Sequence, residues 1–265
     1  MPGLAVIRVG DDPASAVYVR NKERACAEIG VATETFHLPA TTSEADVIAL
    51  IDRLNADDRF HGILVQLPLP RHIDPHRVAF QLALEKDVDG AHPASMGRLA
   101  RGEPGYVPVT PLGVKVLLQR SGIPVEGRHV VVCGRSTLVG RPAALLFMDK
   151  AAGANATVTV CHTGTRDLAS ITRQADILIA AMGRPSAITA DMVRDGAVVV
   201  DVGINRVASP TTKSGFRLVG DVDFDAVRQK ASAITPVPGG VGPMTVAMLL
   251  FQTVQAAKAA WGGAA

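Results

Sequence analysis

The chain has few cysteines, no dense run of either charge and no long apolar stretch, and each shortage removes a class of protein. Its three cysteines, Cys26, Cys133 and Cys161, are odd in number and widely spaced. Neither a disulfide framework nor a zinc-type ligand spacing can be built from them, so no metal site is expected. They read as small buried hydrophobes of a protein kept in a reducing compartment. The formal net charge is +2 and the lysines and arginines are scattered, which excludes the basic stripe of a nucleic-acid binder. Any bound anion must therefore be small and held locally. The longest apolar run near the C-terminus, Val246 to Phe251, is far too short to span a bilayer. Met1 to Ile7 is apolar but lacks a basic leader and runs into a charged turn, so no signal peptide is expected. The expectation is a soluble, cytoplasmic protein with neither a nucleic-acid nor a membrane partner.

What remains is rich in core-forming residues: 48% are hydrophobic and 20% charged, which favours a substantial core over disorder. A length of 265 residues suits one large domain or two of ordinary size. Strand-like and helix-like segments alternate, the pattern of parallel α/β architecture. Leu4–Val9 and Gly62–Leu67 read as buried strands, the latter ending in the stiff loop Pro68-Leu69-Pro70. A helix is expected from about Ser15 to Ile29, closed by Gly30, and another from Ser43, where Asp46 completes a capping box. Thr110 and Pro111 form an N-cap and N1 pair for a helix reaching Arg120. A new βαβ series follows, with strands at His129–Cys133, Ala156–Cys161, Asp176–Ala181 and Ala197–Val202. Pro243 to about Trp261 reads as one long amphipathic helix. The fold class is thus α/β, with two α/β domains flanking a cleft, the second Rossmann-like. The first is expected over residues 1–112, completed by the C-terminal helix 243–265, and the second over 113–242.

The strand His129–Cys133 runs into Gly134-Arg135-Ser136, and Val139-Gly140-Arg141-Pro142 then opens a helix. Strand, glycine turn and helix N-terminus make a pyrophosphate site from backbone N–H groups and the helix dipole. Ser136 stands where the second glycine of the usual fingerprint would be, so the turn alone is a weak signal. The next strand ends Cys161-His162-Thr163-Gly164-Thr165-Arg166, without the carboxylate by which NAD enzymes hold the adenosine ribose. With Arg135 and Arg166 at hand, a 2′-phosphate suits this end better, which favours NADP over NAD. A solvated arginine at a helix start explains Arg166 equally well.

In the first domain Tyr18 and Lys22 project from one helix face at i and i+4. Gln66 closes an apolar strand at the end where α/β proteins present groups to ligands, and Asp87 and Asp89 flank a tight glycine loop. Each also has a plain structural reading as core packing, solvated stem, loop cap or turn former. A Tyr-x-x-x-Lys pair occurs in short-chain dehydrogenases, but there it follows the nucleotide turn within one domain. Here it lies upstream, in a separate domain.

The stretches VGDDPASAVYVRNK (Val9–Lys22), GILVQLPLP (Gly62–Pro70), EKDVDG (Glu85–Gly90) and VTPLGV (Val109–Val114) carry a resemblance, together with GRSTLVGRP (Gly134–Pro142) and DVGIN (Asp201–Asn205). GDVDF (Gly220–Phe224) and TPVPGGVGPMT (Thr235–Thr245) complete it. In this order and over the whole chain they resemble the bifunctional methylenetetrahydrofolate dehydrogenase/cyclohydrolases. The resemblance implies oxidation of methylenetetrahydrofolate with NADP, hydrolysis of the methenyl product to 10-formyltetrahydrofolate, and a homodimer. By it, Lys22 looks like the cyclohydrolase lysine, Gln66 its orienting partner, Tyr18 a ring stacked on the pterin, and Asp89 a partner of the pterin edge. Gly239, Gly240 and Pro243 would form a loop near pterin and nicotinamide. The implied cofactor set is Gly134, Arg135, Ser136, Val139, Gly140, Thr163 and Ile204. Val109 and Ser95 stand where cysteine and asparagine are common, and family members usually begin earlier with a further strand and helix. Two rivals remain in view: a monofunctional dehydrogenase of the same fold, and a silent NADP-binding sensor.

Overall fold

The computed structural model describes residues 1–210, 212 and 215–262, and the side chains of all of these but residues 13, 14, 16 and 17. The last residues of the expected C-terminal helix, 263–265, lie outside the described residues. The chain divides into two compact units, Met1–Val109 with Val246–Ala265, and Thr110–Thr245. Among the described residues no helix is long and apolar enough to cross a membrane.

The first unit holds β1 (Gly3–Val9), α1 (Pro13–Ile29), β2 (Ala32–Leu38), α2 (Glu44–Asn55) and β3 (Gly62–Val65), then α3 (Pro75–Gln81) and α4 (Pro93–Arg101). The strands form a parallel sheet in the order β2-β1-β3. Period-two alternation sends Ala5, Ile7 and Val9 to one face, against Val47, Leu50, Ile51 and Leu54 of α2. Leu4 and Val6 face the other way, against Val19 and Cys26 of α1 and Leu249 and Leu250 of the C-terminal helix. Cover on both faces is why β1 is apolar from Gly3 to Ile7, with Arg8 the one charged residue near its end. Each fully buried aliphatic side chain contributes roughly 1.5–3 kcal/mol.

α1 is closed by Gly30 in the left-handed conformation, and Ser43 caps α2 by accepting from the Asp46 amide. β3 is shorter than the expected Gly62–Leu67. The Gln66 amide still donates to Ile7 O at 2.8 Å, but Pro68 has no N–H with which to continue the ladder. The C-terminal helix, Val241–Ala260, is not the amphipathic element expected. Gln252 and Thr253 are buried while Phe251 is 52% exposed. Thr253 Oγ1 donates to Leu249 O, and Gln252 is bonded to the backbone of Val88 and Val107, so its polar atoms are satisfied inside.

The second unit begins with α5 (Val109–Arg120), which opens one residue before Thr110. The Thr110 hydroxyl therefore does not cap it, and meets that of Thr245 at 3.1 Å. There follow β4 (His129–Cys133), α6 (Gly140–Met148), β5 (Thr157–Cys161), α7 (Leu168–Thr172), β6 (Ile177–Ala180) and β7 (Val198–Asp201). An antiparallel hairpin of β8 (Asn205–Ala208) and β9 (Phe216–Val219), then α8 (Phe224–Val227) and β10 (Ala233–Ile234), complete it. The parallel sheet runs β10-β7-β6-β4-β5. Its order reverses at β4, whose two neighbours are β5 and β6. In a doubly wound sheet that reversal opens a crevice beyond the strands' C-terminal ends, the usual place for a dinucleotide.

Candidate functional site

In the first unit, three of the four expected residues are linked by bonds or charge. Lys22 is only 8% exposed, and its Nζ donates to Gln66 Oε1 at 2.9 Å. The amide half of Gln66 is also fixed, since its Nε2 donates to Leu67 O at 2.8 Å. Gln66 is thereby oriented with its carbonyl oxygen toward the lysine. α1 delivers Lys22 and the end of β3 delivers Gln66, so the pairing follows from packing α1 on the sheet. Burial lowers the Lys22 pKa from its ordinary value, against the opposing pull of Asp89. Burial likewise raises the Asp89 pKa, and the positive Lys22 works against that rise. An amine and a carboxyl group thus interact in a poorly solvated place, burial shifting each toward its neutral form and the other's charge opposing that shift. Tyr18, one turn before Lys22, is half-buried, and burial raises its phenol pKa.

The loop bearing Asp89 is held from both ends. Asp87 is fully buried and accepts from the amides of Ala91 and His92 at 2.9 and 3.0 Å and from Ser95 Oγ at 2.6 Å. Its pKa is pushed up to about 6, first by burial. On the other side Gln252 Nε2 donates to Val88 O at 2.7 Å and to Val107 O at 3.0 Å, while its Oε1 accepts from the Val107 amide. Residue type alone left Asp87 and Asp89 as two flanks of a turn, and only the family resemblance gave Asp89 a role. The structure separates them: Asp87 is bonded inward to the loop, and Asp89 keeps partial exposure. Gln252 was missed: Gln255 lies three residues on in the same helix, and no local pattern tells the two apart.

In the second unit, Gly134 follows β4 at φ 132, and a Cβ there would fall 2.1 Å from Ala181 O, the residue after β6. A Cβ on Gly140 would fall 2.2 Å from Gly134 O, so both glycines are required by close packing of turn and helix. Ser136, at the position of the missing glycine, has its Oγ accepting from the Val139 and Gly140 amides at 3.2 and 3.3 Å. The serine hydroxyl thus gathers two amides at the mouth of α6, whose own N-cap residue, Val139, has no side-chain cap. Arg135 and Arg141 are exposed beside this turn. Thr163 and Arg166 are exposed beyond the adjacent β5, and Ile204 beyond β7 is 43% exposed. The nearest carboxylate after β5, Asp167, caps α7 by accepting from the Ser170 amide. A glycine turn without room for Cβ, a helix N-terminus and exposed guanidinium groups fit a dinucleotide phosphate site. Gly239, Gly240 and Pro243 precede or open the C-terminal helix, and Pro243 is exposed.

Two buried carboxylates of this unit were also missed. Asp201, at the end of β7, accepts from the amides of Gly203, Asp221 and Val222, each at 2.9 Å. Asp221 is fully buried and accepts from Met182, Gly183, Arg184 and Asn205. Both lie in motifs singled out in the sequence, DVGIN and GDVDF, without a role.

Comparison with known proteins gives the family of both units. Residues 1–89 match the catalytic domain of tetrahydrofolate dehydrogenase/cyclohydrolase, and residues 108–261 match its NAD(P)-binding domain. The bifunctional protein FolD of Moorella thermoacetica is 57% identical over 97% of this chain and 88% of its own. The crystal structure of the bifunctional FolD dehydrogenase/cyclohydrolase from Campylobacter jejuni superposes with TM-score 0.91 at 50% identity, covering 98% of this chain and 89% of that one. The Trypanosoma brucei FolD, solved with NADP cofactor and an inhibitor, gives TM-score 0.92 at 42% identity, covering 98% and 88%.

Proposed function

The chain belongs to the tetrahydrofolate dehydrogenase/cyclohydrolase family, and from that membership we propose how its residues divide the work. It is a bifunctional enzyme of one-carbon folate metabolism. It oxidises methylenetetrahydrofolate to methenyltetrahydrofolate with NADP and hydrolyses that product to 10-formyltetrahydrofolate.

The observation that carries the assignment of roles is the buried Lys22–Gln66 hydrogen bond of 2.9 Å. Hydrolysis requires a proton to be taken from the water that attacks the methenyl carbon. A lysine can take it only when part of it is neutral near pH 7, and burial lowers the Lys22 pKa in that sense. Gln66 accepts one N–H of the amine without adding charge, which orients the lone pair and does not restabilise the ammonium. Asp89 pulls the other way, and the cationic methenyl ring of the substrate offsets that pull. Tyr18 offers its ring to the pterin, and Asp89 accepts from the pterin N–H edge. Gly239, Gly240 and Pro243 are further substrate contacts.

Bound at the turn after β4, NADP supplies the hydride acceptor. Arg135 and Ser136 bind its phosphates, Gly134, Val139 and Gly140 shape the turn beneath them, and Thr163 and Ile204 complete the contacts. The end of β5, where Asp167 is committed to capping α7, supports preference for the 2′-phosphorylated cofactor. We place the enzyme in the cytoplasm as a homodimer acting on tetrahydrofolate derivatives, without nucleic-acid or membrane partners. Three buried free cysteines support the reducing compartment.

The test is a spectrophotometric assay of the purified chain with each folate separately. NADPH should form from methylenetetrahydrofolate, and methenyltetrahydrofolate should be consumed without any cofactor. NADPH formation alone would leave a monofunctional dehydrogenase, and NADP binding with neither reaction a silent binding protein.

A further inference from the structure

We propose that Asp221 is a positioning residue for the dinucleotide site, its buried carboxylate serving as the internal anion around which the loop Met182–Arg184 is wound. The inference rests on the NADP reading above.

The loop begins directly after β6 and Ala181, at the reversal of strand order where the sheet opens its crevice. Ala181 lies against Gly134, the residue that starts the cofactor turn, so closely that a Cβ on the glycine would fall 2.1 Å from the Ala181 carbonyl oxygen. A shift of the segment after β6 is therefore transmitted to the phosphate turn without slack. The segment's three successive amides converge on one carboxylate: Met182 and Gly183 donate to Asp221 Oδ2, and Arg184 donates to Oδ1 at 2.9 Å. Gly183 has φ 65, and consecutive N–H groups in such a turn form a concavity that needs an anion. Asp221 is that anion. Asn205 Nδ2 supplies a fourth hydrogen bond at 2.8 Å, so both oxygens are saturated by neutral donors.

The surroundings are shaped to keep this group in place. A Cβ on Gly203 would fall 2.2 Å from Asp221 Cγ, and one on Gly220 would fall 1.8 Å from Asp201 Oδ2. The glycines of the DVGIN and GDVDF motifs therefore make room for the two carboxylates. Asp201 in turn accepts from the Asp221 amide, and the Asp201 amide donates to Thr235 Oγ1 at 2.8 Å. A chain of bonds thus runs from β7 through Asp201 and Asp221 to the loop beyond β6. Backbone bonds from Ser186 and Ile188 to Gly220 and Asp221 lace the far side of the loop, and the carboxylate gathers its near side.

Asp221→Asn tests this, because it keeps the shape but removes the charge and half of the accepting capacity. Three quantities are read: NADP affinity by titration calorimetry on folate-free protein, cyclohydrolase activity without NADP, and Tm. NADP Kd is expected to rise roughly ten-fold or more, with the loss falling on cofactor affinity and not on the cyclohydrolase kcat or its KM for folate. An unchanged NADP Kd, whatever happens to Tm, overturns the proposal. So does a cyclohydrolase loss as large as the loss of NADP affinity. If Asp221→Asn does not fold, Asn205→Ala removes one of the four donors and should raise NADP Kd by roughly three-fold. No change there overturns the proposal equally. Wild-type protein that binds no NADP would sink the cofactor reading itself, which is a different result from a variant that binds it normally.

Discussion

Lys22 and Gln66, 44 residues apart in the chain, meet through a 2.9 Å hydrogen bond in which the amine donates to a neutral acceptor. An acidic partner at position 66 would hold the lysine charged, whereas an amide leaves burial free to lower its pKa. That single relationship separates the two reactions. Loss of hydride from the methylene carbon needs no proton acceptor on the protein, while hydrolysis of the methenyl carbon does.

Lys22→Met should therefore abolish the cyclohydrolase and leave measurable dehydrogenase activity. General acid–base groups contribute roughly 10²–10⁴-fold, so the change in the ratio of activities in one purified variant is easily read. The wild-type cyclohydrolase should gain activity with rising pH through the lowered Lys22 pKa, and this limb should vanish in the variant. Equal loss of both activities would make Lys22 a binding residue only.

Asp89→Ala should instead impair both reactions together, because both draw on one folate site. Leaving a buried polar edge unpaired costs roughly 1–3 kcal/mol, which is about a 5- to 150-fold rise in KM. Steady-state kinetics of both reactions on the same preparation check this. A fall in one activity with folate affinity intact would remove Asp89 from the pterin.

Gln252→Leu should act on the same loop from behind. It leaves Val88 O and both polar backbone atoms of Val107 without their side-chain partner. Destabilisation of about 2–4 kcal/mol is expected from unsatisfied buried groups, together with a higher folate KM in both reactions. Chemical denaturation gives the first quantity and kinetics the second. A destabilised variant with normal folate KM would confine Gln252 to a structural role.

NADP should serve as hydride acceptor far better than NAD, and Arg135→Ala should weaken NADP by about ten-fold more than NAD, since a guanidinium–phosphate contact is lost. Arg135 and Arg166 are exposed after the adjacent strands β4 and β5, and Asp167 is engaged in capping α7. Comparable kcat/KM for the two cofactors would contradict the reading.

Elements defined by local signals were legible in the sequence. The caps at Gly30 and Ser43 formed as their residue types dictate, and β4 to β7 kept their expected positions to within a residue at each end. Elements whose character depends on distant partners were not. The half-buried edge strand β2 has little apolar contrast, and the β8–β9 hairpin is largely exposed. The C-terminal helix misled because Gln252 faces inward to reach Val88 and Val107, which no local pattern reveals. The same reason hid the site's supports. Lys22, Gln66 and the loop of Asp87 and Asp89 stood out by type and position, but Asp201 and Asp221 are carboxylates bonded to backbone amides from distant segments. In sequence such residues look like ordinary turn formers.

The last prediction concerns Asp87, whose pKa is raised to about 6 by burial despite three hydrogen bonds. A carboxyl group with a native pKa above its unfolded value of about 4 binds its proton more tightly when folded. Between about pH 4 and pH 6 the folded state therefore holds more protons than the unfolded state, and stability falls as pH rises through this window. Above pH 6 both states are ionised and the contribution is constant. Asp201, with its pKa also at about 6, acts in the same direction. On the order of 3 kcal/mol is at stake for a shift of about two units. Asp87→Asn cannot titrate, so its penalty relative to wild type should be largest near pH 4 and shrink toward pH 6. Urea unfolding of both proteins at pH 4.5, 5.5 and 7 measures this difference. A penalty that grows with pH would mean that the hydrogen bonds from Ala91, His92 and Ser95 outweigh burial, and that Asp87 is held ionised.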